Sequence, residues 1–206
     1  RIETFDFGIV EGPTYDYDIR IAYPTAIQHL PSLRDATWEH RTRYDASLEF
    51  AIWRVRWDCG SRPRLTPFPF RHKQRIYWPH RGEGWYHGLE VAAAMSIAVS
   101  LGWKIKVTEG WSLTATADRP FVPWVNELYE TRAKFKAEGN SAEKPLKLGA
   151  NSLYGKMAQS RASRATRRDA IPPFRSFYWA GYITSHCRAA LLRAAGQAVR
   201  KPHNLL

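Results

Sequence analysis

The sequence predicts an α+β fold, and three observations carry that reading. Residues 47–57 alternate, with Ala51, Trp53, Val55 and Trp57 on one side and Arg54 and Arg56 on the other, the pattern of a half-buried strand. Leu146, Ala150, Leu153 and Met157 recur at helical spacing on a single stripe. Elsewhere strand patterns and helical ones are interspersed along the chain.

Taken in order, Ile2, Phe5 and Phe7 begin a strand, and Glu11-Gly12-Pro13 makes a turn. Thr14 to Ala22 reads as a second strand that ends at Tyr23-Pro24, with a short helix over Thr25 to Leu30. The alternating strand of 47–57 follows, then a turn at Cys59-Gly60-Ser61-Arg62-Pro63. Arg75 to Trp78 predicts another strand, broken by the turn-rich residues from Pro79 to Gly84. Leu89 to Leu101 predicts a helix, and Lys104 to Thr108 alternates again as a strand. Phe121, Val125, Leu128 and Phe135 share one face of a helix from about Val122 to Glu138. Gly139-Asn140-Ser141 breaks that helix, and Pro145 suits the first turn of the next one, so the two form a helical hairpin. Phe177 to Arg200 predicts a closing helix.

Bulk properties narrow the function. The 206 residues, 44% hydrophobic and 14% aromatic, are enough for one domain with a real core or two small ones. A net charge of +12 favours polyanionic partners such as nucleic acid, nucleotides or acidic lipid. Cys59 and Cys187 stand far apart, which excludes a disulfide framework and a zinc spacing and fits a reducing compartment. The most apolar run, Val91 to Leu101, is too short to span a bilayer, so no membrane partner is expected. The chain begins at Arg1 with no signal-peptide pattern and reads as a piece of something longer, working inside a cell.

The second helix of the hairpin carries more than packing. Lys147, Asn151 and Tyr154 form a stripe beside the apolar one, presenting a cation, an amide and a phenol in a row. Taken alone, such a stripe is the ordinary solvated face of an amphipathic helix. The longer string from Lys147 to Gly155, Lys-x3-Asn-Ser-x-Tyr-Gly, resembles motif B of the family B DNA polymerases. Arg132 and Lys136, four apart on the first helix, resemble the rest of that family's fingers signature. Asp18-Ile19-Arg20-Ile21-Ala22-Tyr23-Pro24 resembles motif A, Asp-x-x-Ser-Leu-Tyr-Pro, with Ile21 and Ala22 departing from it. Pro67 to Arg71, Tyr77 to Pro79, Gly84 to Tyr86, Glu90, and Tyr182 to Ser185 with Arg188 resemble the flanking segments. The stretch between the two motifs is roomy for compact members, which is similar to the insertion of the protein-primed, phage-type enzymes.

The resemblance implies a partial polymerase palm over residues 1–118, a fingers hairpin over 119–160 and a return to the palm over 161–206. It implies template-directed addition of deoxynucleoside triphosphates to a primer 3′-hydroxyl, with two Mg2+ ions as cofactors. Asp18 would be a catalytic metal ligand, assisted by the carbonyl of Ile19. Tyr23 would lie under the deoxyribose and exclude a 2′-hydroxyl. Arg132, Lys136 and Lys147 would hold phosphate oxygens, with Asn151 adding a hydrogen bond and Tyr154 lining the nascent base pair. Arg161, Arg164, Arg167 and Arg168 lie in a dense basic segment that is either a solvated linker or a strip of contacts to DNA phosphates. The partners implied are primer–template DNA, the nucleotides and, for the protein-primed type, a terminal protein primer.

Motif C, Tyr-x-Asp-Thr-Asp, does not occur in the sequence, nor does the proofreading exonuclease's Asp-x-Glu segment upstream; a fragment so divided is expected not to extend DNA alone. Two other classes compete. Asp16-Tyr17-Asp18 is an Asp-x-Asp of the kind that metal-dependent glycosyltransferases use, but it leaves the hairpin unexplained. A non-catalytic basic nucleic-acid-binding module, or an inactive polymerase relic, would account for the charge and the interleaved aromatics. A motif C in the continuation of the gene separates an active polymerase from both.

Overall fold

Trp53 and Trp57 set the architecture of the sheet. The computed structural model describes residues 18, 19, 21–73, 75–114, 116–159 and 174–199. Within them, strands β1 (Thr37–Arg41), β2 (Ala51–Asp58), β5 (Arg81–His87) and β6 (Lys104–Thr114) form one sheet in the order β1-β6-β2-β5. A separate hairpin pairs β3 (Phe70–His72) with β4 (Arg75–Tyr77). β2 lies between two antiparallel neighbours, and its alternation is realised as predicted: Ala51, Trp53, Val55 and Trp57 are buried while Arg54 and Arg56 are exposed.

The inner face is covered by helix α2 (Gly88–Ala98), continued by a turn of 3-10 helix over Val99–Leu101, and by Ala189 and Leu192 of helix α5 (Phe177–Val199). Indole rings lie flat against the neighbouring strands. A Cβ on Gly110 would sit 2.1 Å from Cε3 of Trp53, and one on Gly82 would sit 2.6 Å from Cζ2 of Trp57, so these positions have no room for a side chain. Trp57 donates its indole N–H to the Pro79 carbonyl at 3.0 Å, and the Tyr86 hydroxyl donates to the Pro69 carbonyl at 2.9 Å. Glu90 on α2 is buried and receives Arg188 from α5 through two of its guanidinium nitrogens, Nε and Nη2, the latter at 2.9 Å. A carboxylate out of water needs such a partner.

β6 carries a bulge. Arg54 pairs with Glu109 but Val55 pairs with Val107, so Thr108 is the extra residue. The bulge re-phases the strand: Lys104 and Lys106 point outward before it, Glu109 and Trp111 after it.

The helical part consists of α1 (Ala22–Gln28), α3 (Val122–Ala137), α4 (Glu143–Met157) and the first half of α5. α3 ends where Gly139 takes φ +63°, and the Asn140 N–H returns to the Phe135 carbonyl at 2.8 Å. The Asn140 side chain then accepts the Ala142 N–H at 2.9 Å and turns the chain into α4. Ala150 and Met157 are buried, with Leu146 and Leu153 half-buried beside them, as the apolar stripe predicts. Trp179 of α5 donates to the Pro31 carbonyl at 3.2 Å and meets Phe121 edge-on.

The described residues divide into two compact units, a sheet unit within Arg1–Ile19, Trp38–Thr114 and Arg188–Leu206, and a helical unit within Arg20–Thr37 and Ala115–Cys187. Among the described residues no helix is long and apolar enough to cross a membrane.

Three expectations need correction. The strand predicted to run from Thr14 to Ala22 is not seen at its described end: Asp18 and Ile19 are irregular, Ile21 is left-handed at φ 58°, and helix α1 starts at Ala22. Pro24 does not stop a strand but occupies the first turn of that helix, where a missing N–H is harmless. Residues 81–84 are not only a breaker but the start of β5, their glycines making room for the rings of Trp57 and Tyr86. The strands predicted within residues 1–17 lie outside the described residues.

Candidate functional site

Helix α4 begins with an acid. Glu143 stands at its first position, where a carboxylate is favoured by the N–H groups of the opening turn. The hairpin brings that carboxylate to Arg132 on α3, whose Nη2 and Nε donate to one oxygen, Oε1, at 2.5 and 3.1 Å. The hydrogen bond from Arg132 holds the Glu143 carboxyl below the usual carboxylate range, and the charges of Arg132, Lys147 and Lys136 push the same way. Of the three cations singled out from the sequence, Arg132 is bonded to Glu143, while Lys147, one helical turn on from Glu143, and Lys136, one turn on from Arg132, act on it through their charge alone. Lys147 and Lys136 are exposed, whereas Arg132 and Glu143 are half-buried.

Along α4 from Lys147 come Asn151 and Tyr154, both half-buried. The ring of Tyr154 lies against that of Tyr23 on α1, with centroids 4.3 Å apart and planes tilted by 31°. α1 is held to α3 as well: Gln28 donates to the Asn126 side chain at 3.0 Å, and the hydroxyls of Thr25 and Tyr129 are 3.5 Å apart. Tyr23 is thus fixed by a helix docked on the hairpin, so a side chain from the first predicted motif meets one from the second.

All six nucleotide-binding candidates, Tyr23, Arg132, Lys136, Lys147, Asn151 and Tyr154, fall in the helical unit. Asp18 and Ile19 fall in the sheet unit and are exposed. Arg161, Arg164, Arg167 and Arg168 lie outside the described residues. Chemically, the hairpin offers a cationic grip for an anion carrying several charges, next to an aromatic pair.

A family model described as DNA polymerase type B, organellar and viral, matches residues 2–166. The chain belongs to that family. This type B polymerase chain is also similar in fold to a solved structure of phi29 DNA polymerase, at a TM-score of 0.60 and 13% identity, over 87% of this chain and 35% of that one. It therefore spans about a third of the length of that polymerase. No curated protein matches it. The α+β class expected from the sequence of this polymerase chain is the one observed.

Sequence reasoning missed Glu143. Its signal was an acid at the start of a helix, four residues before Lys147, in a hairpin that could reach Arg132. The Glu90–Arg188 pair was noticed only as family-like flanking residues, not as a buried ion pair.

Proposed function

We propose that the chain is the nucleotide-gripping part of a template-directed DNA polymerase, which adds deoxynucleoside triphosphates to a primer 3′-hydroxyl. The observation that carries this reading is the Arg132–Glu143 pair across the hairpin, with Lys136 and Lys147 one helical turn from its two members, in a chain of the type B family. A triphosphate would take the place of Glu143 on Arg132, and its β- and γ-phosphate oxygens would meet all three cations. Phosphoryl transfer leaves little covalent chemistry to side chains, so offsetting developing charge is their main contribution. Asn151 would add a hydrogen bond, and Tyr154 would line the base pair. Tyr23, packed against Tyr154, would sit beneath the sugar and exclude a 2′-hydroxyl.

In this reading residues 1–118 are the palm part, 119–160 the fingers and 161–206 the return to the palm. Among the described residues no group of three His, Cys, Asp or Glu could by itself hold a metal ion. Asp18 nonetheless fits magnesium, which takes one or two carboxylates and completes its shell with substrate oxygens and water. Asp18, with the Ile19 carbonyl, would be this chain's share of that site. When bound, the two ions supply an activated primer hydroxyl and a counter-charge for the triphosphate. Primer–template DNA is the polymeric substrate, with Arg161, Arg164, Arg167 and Arg168 contacting its phosphates and a terminal protein primer in the protein-primed case. The work is done inside the cell.

Primer extension by the intact protein tests this. Asp18→Ala is expected to abolish extension, and Lys147→Ala to lower kcat/KM for nucleotides by about 100-fold or more while leaving DNA affinity unchanged. Normal extension by the Asp18 variant would overturn the assignment. No extension by the unaltered protein, with DNA binding retained, would favour the non-catalytic binding module.

A further inference from the structure

The outer face of the sheet carries three tryptophans that its core does not use. Trp38 on β1, Trp111 on β6 and Trp85 on β5 are 42%, 43% and 47% exposed, and with Ile52 they line one shallow depression across all four strands. Isolated apolar side chains on a surface need no explanation, but three indoles converging on one open patch do. Below them runs a band of ion pairs: Glu109 meets His40 and Arg54, and Glu83 meets Arg54 and Arg56. Beyond that band, Arg81, Lys104 and Lys106 line a second depression on the same face. None of these three has an ion-pair partner among the described residues. Asp58 stands across from Arg81 and Lys104, and Glu83 lines the same depression, but with Arg56 the cations outnumber these acids by four to two. The face is thus aromatic at one end and net cationic at the other, some four residues or roughly 13 Å apart along β5.

We propose that this face binds single-stranded DNA, with unstacked bases on Trp38, Trp85 and Trp111 and backbone phosphates on Arg81, Lys104 and Lys106. Indoles offer every base a π-face, and neighbouring cations track the phosphates, which together are the requirements of a single-strand platform. A duplex keeps its bases stacked inside and cannot use the indoles. An apolar protein partner would use the indoles but not three unpaired cations, and the chain's net charge of +12 favours the polyanion. The proposal stands apart from the nucleotide grip, since every residue it names is in the sheet unit.

The test is binding of a labelled oligothymidylate and of a blunt duplex of equal length to the intact protein, across a salt series. Trp111→Ala is expected to weaken single-strand binding by about 5- to 150-fold and to leave duplex binding unchanged. Lys104→Ala with Lys106→Ala, on exposed side chains that the core does not need, is expected to lower the salt slope for the single strand by about 1.4. Photocrosslinking of an iodouracil-bearing oligonucleotide should label the peptide containing Trp111. Unchanged single-strand affinity and slope in both variants would overturn the proposal. So would equal losses for strand and duplex, or a Trp111-dependent dimer in sedimentation with DNA binding intact, which would mark the face as a contact between copies.

Discussion

The sheet unit and the hairpin are built on opposite principles. In the sheet unit large rings are pressed against backbone, with Trp53 fully buried over Gly110, and a carboxylate is sunk beneath an arginine. In the hairpin few side chains are fully buried, and the charged ones stand half or wholly in solvent. The first arrangement leaves no tolerance for a change of shape. The second leaves its cations free to exchange one anion for another. Tight packing is thus concentrated in one region, and exposed, closely spaced cations in the other.

The comparison is most easily broken at Trp53. Trp53→Ala is expected to cost about 3–5 kcal/mol in chemical denaturation, since the cavity would lie in a fully packed site. A loss below 1 kcal/mol would mean that the sheet core is not the anchor. Arg188→Ala should cost a similar or slightly smaller amount, about 3–5 kcal/mol, because it strands the Glu90 carboxylate out of water. Glu90→Gln with Arg188→Met, which removes both charges, should recover much of that loss.

A pH series sharpens the contrast. Burial, and then the charge of Arg188, bring the His87 imidazole down to about 4 from the ordinary 6.5. Between those values the unfolded chain binds the proton and the folded one does not. Stability is therefore complete above pH 6.5 and falls as the pH drops toward 4, by roughly 3 kcal/mol from this group. His87→Gln should flatten that slope. The smallest expected change in stability is at the hairpin: Glu143→Gln should leave the melting temperature nearly unmoved yet tighten triphosphate binding, measured by titration calorimetry. A large drop in melting temperature would make the Arg132 pair a structural fastener instead.

The two regions also differed in how far they could be read from sequence. β2 was legible because its tryptophans alternate with arginines, and the hairpin because Gly139 and Pro145 punctuate it. β5 was obscured by Gly82 and Gly84, which look like turn residues until a ring from elsewhere is laid against them. β1 was not predicted at all, since Thr37 to Arg41 is nearly all exposed and so has no alternation to show. Pro24 was misread for lack of the left-handed Ile21 before it, which lets a helix start there. At the site, the cations were legible from helical spacing, but Glu143 was not. Its partner lies 11 residues away across a turn, beyond any single-helix pattern.

Thr108 has a consequence of its own. On β6 the even-numbered residues face solvent up to the bulge, and the odd-numbered ones from Glu109 to Trp111, so the strand changes parity at one residue. Substituting Thr108 should be nearly harmless, whereas deleting it would turn one end over. Either Lys104 and Lys106 would enter the core, or Glu109 and Trp111 would. Sequence drift here is thus free to change letters but not to change count.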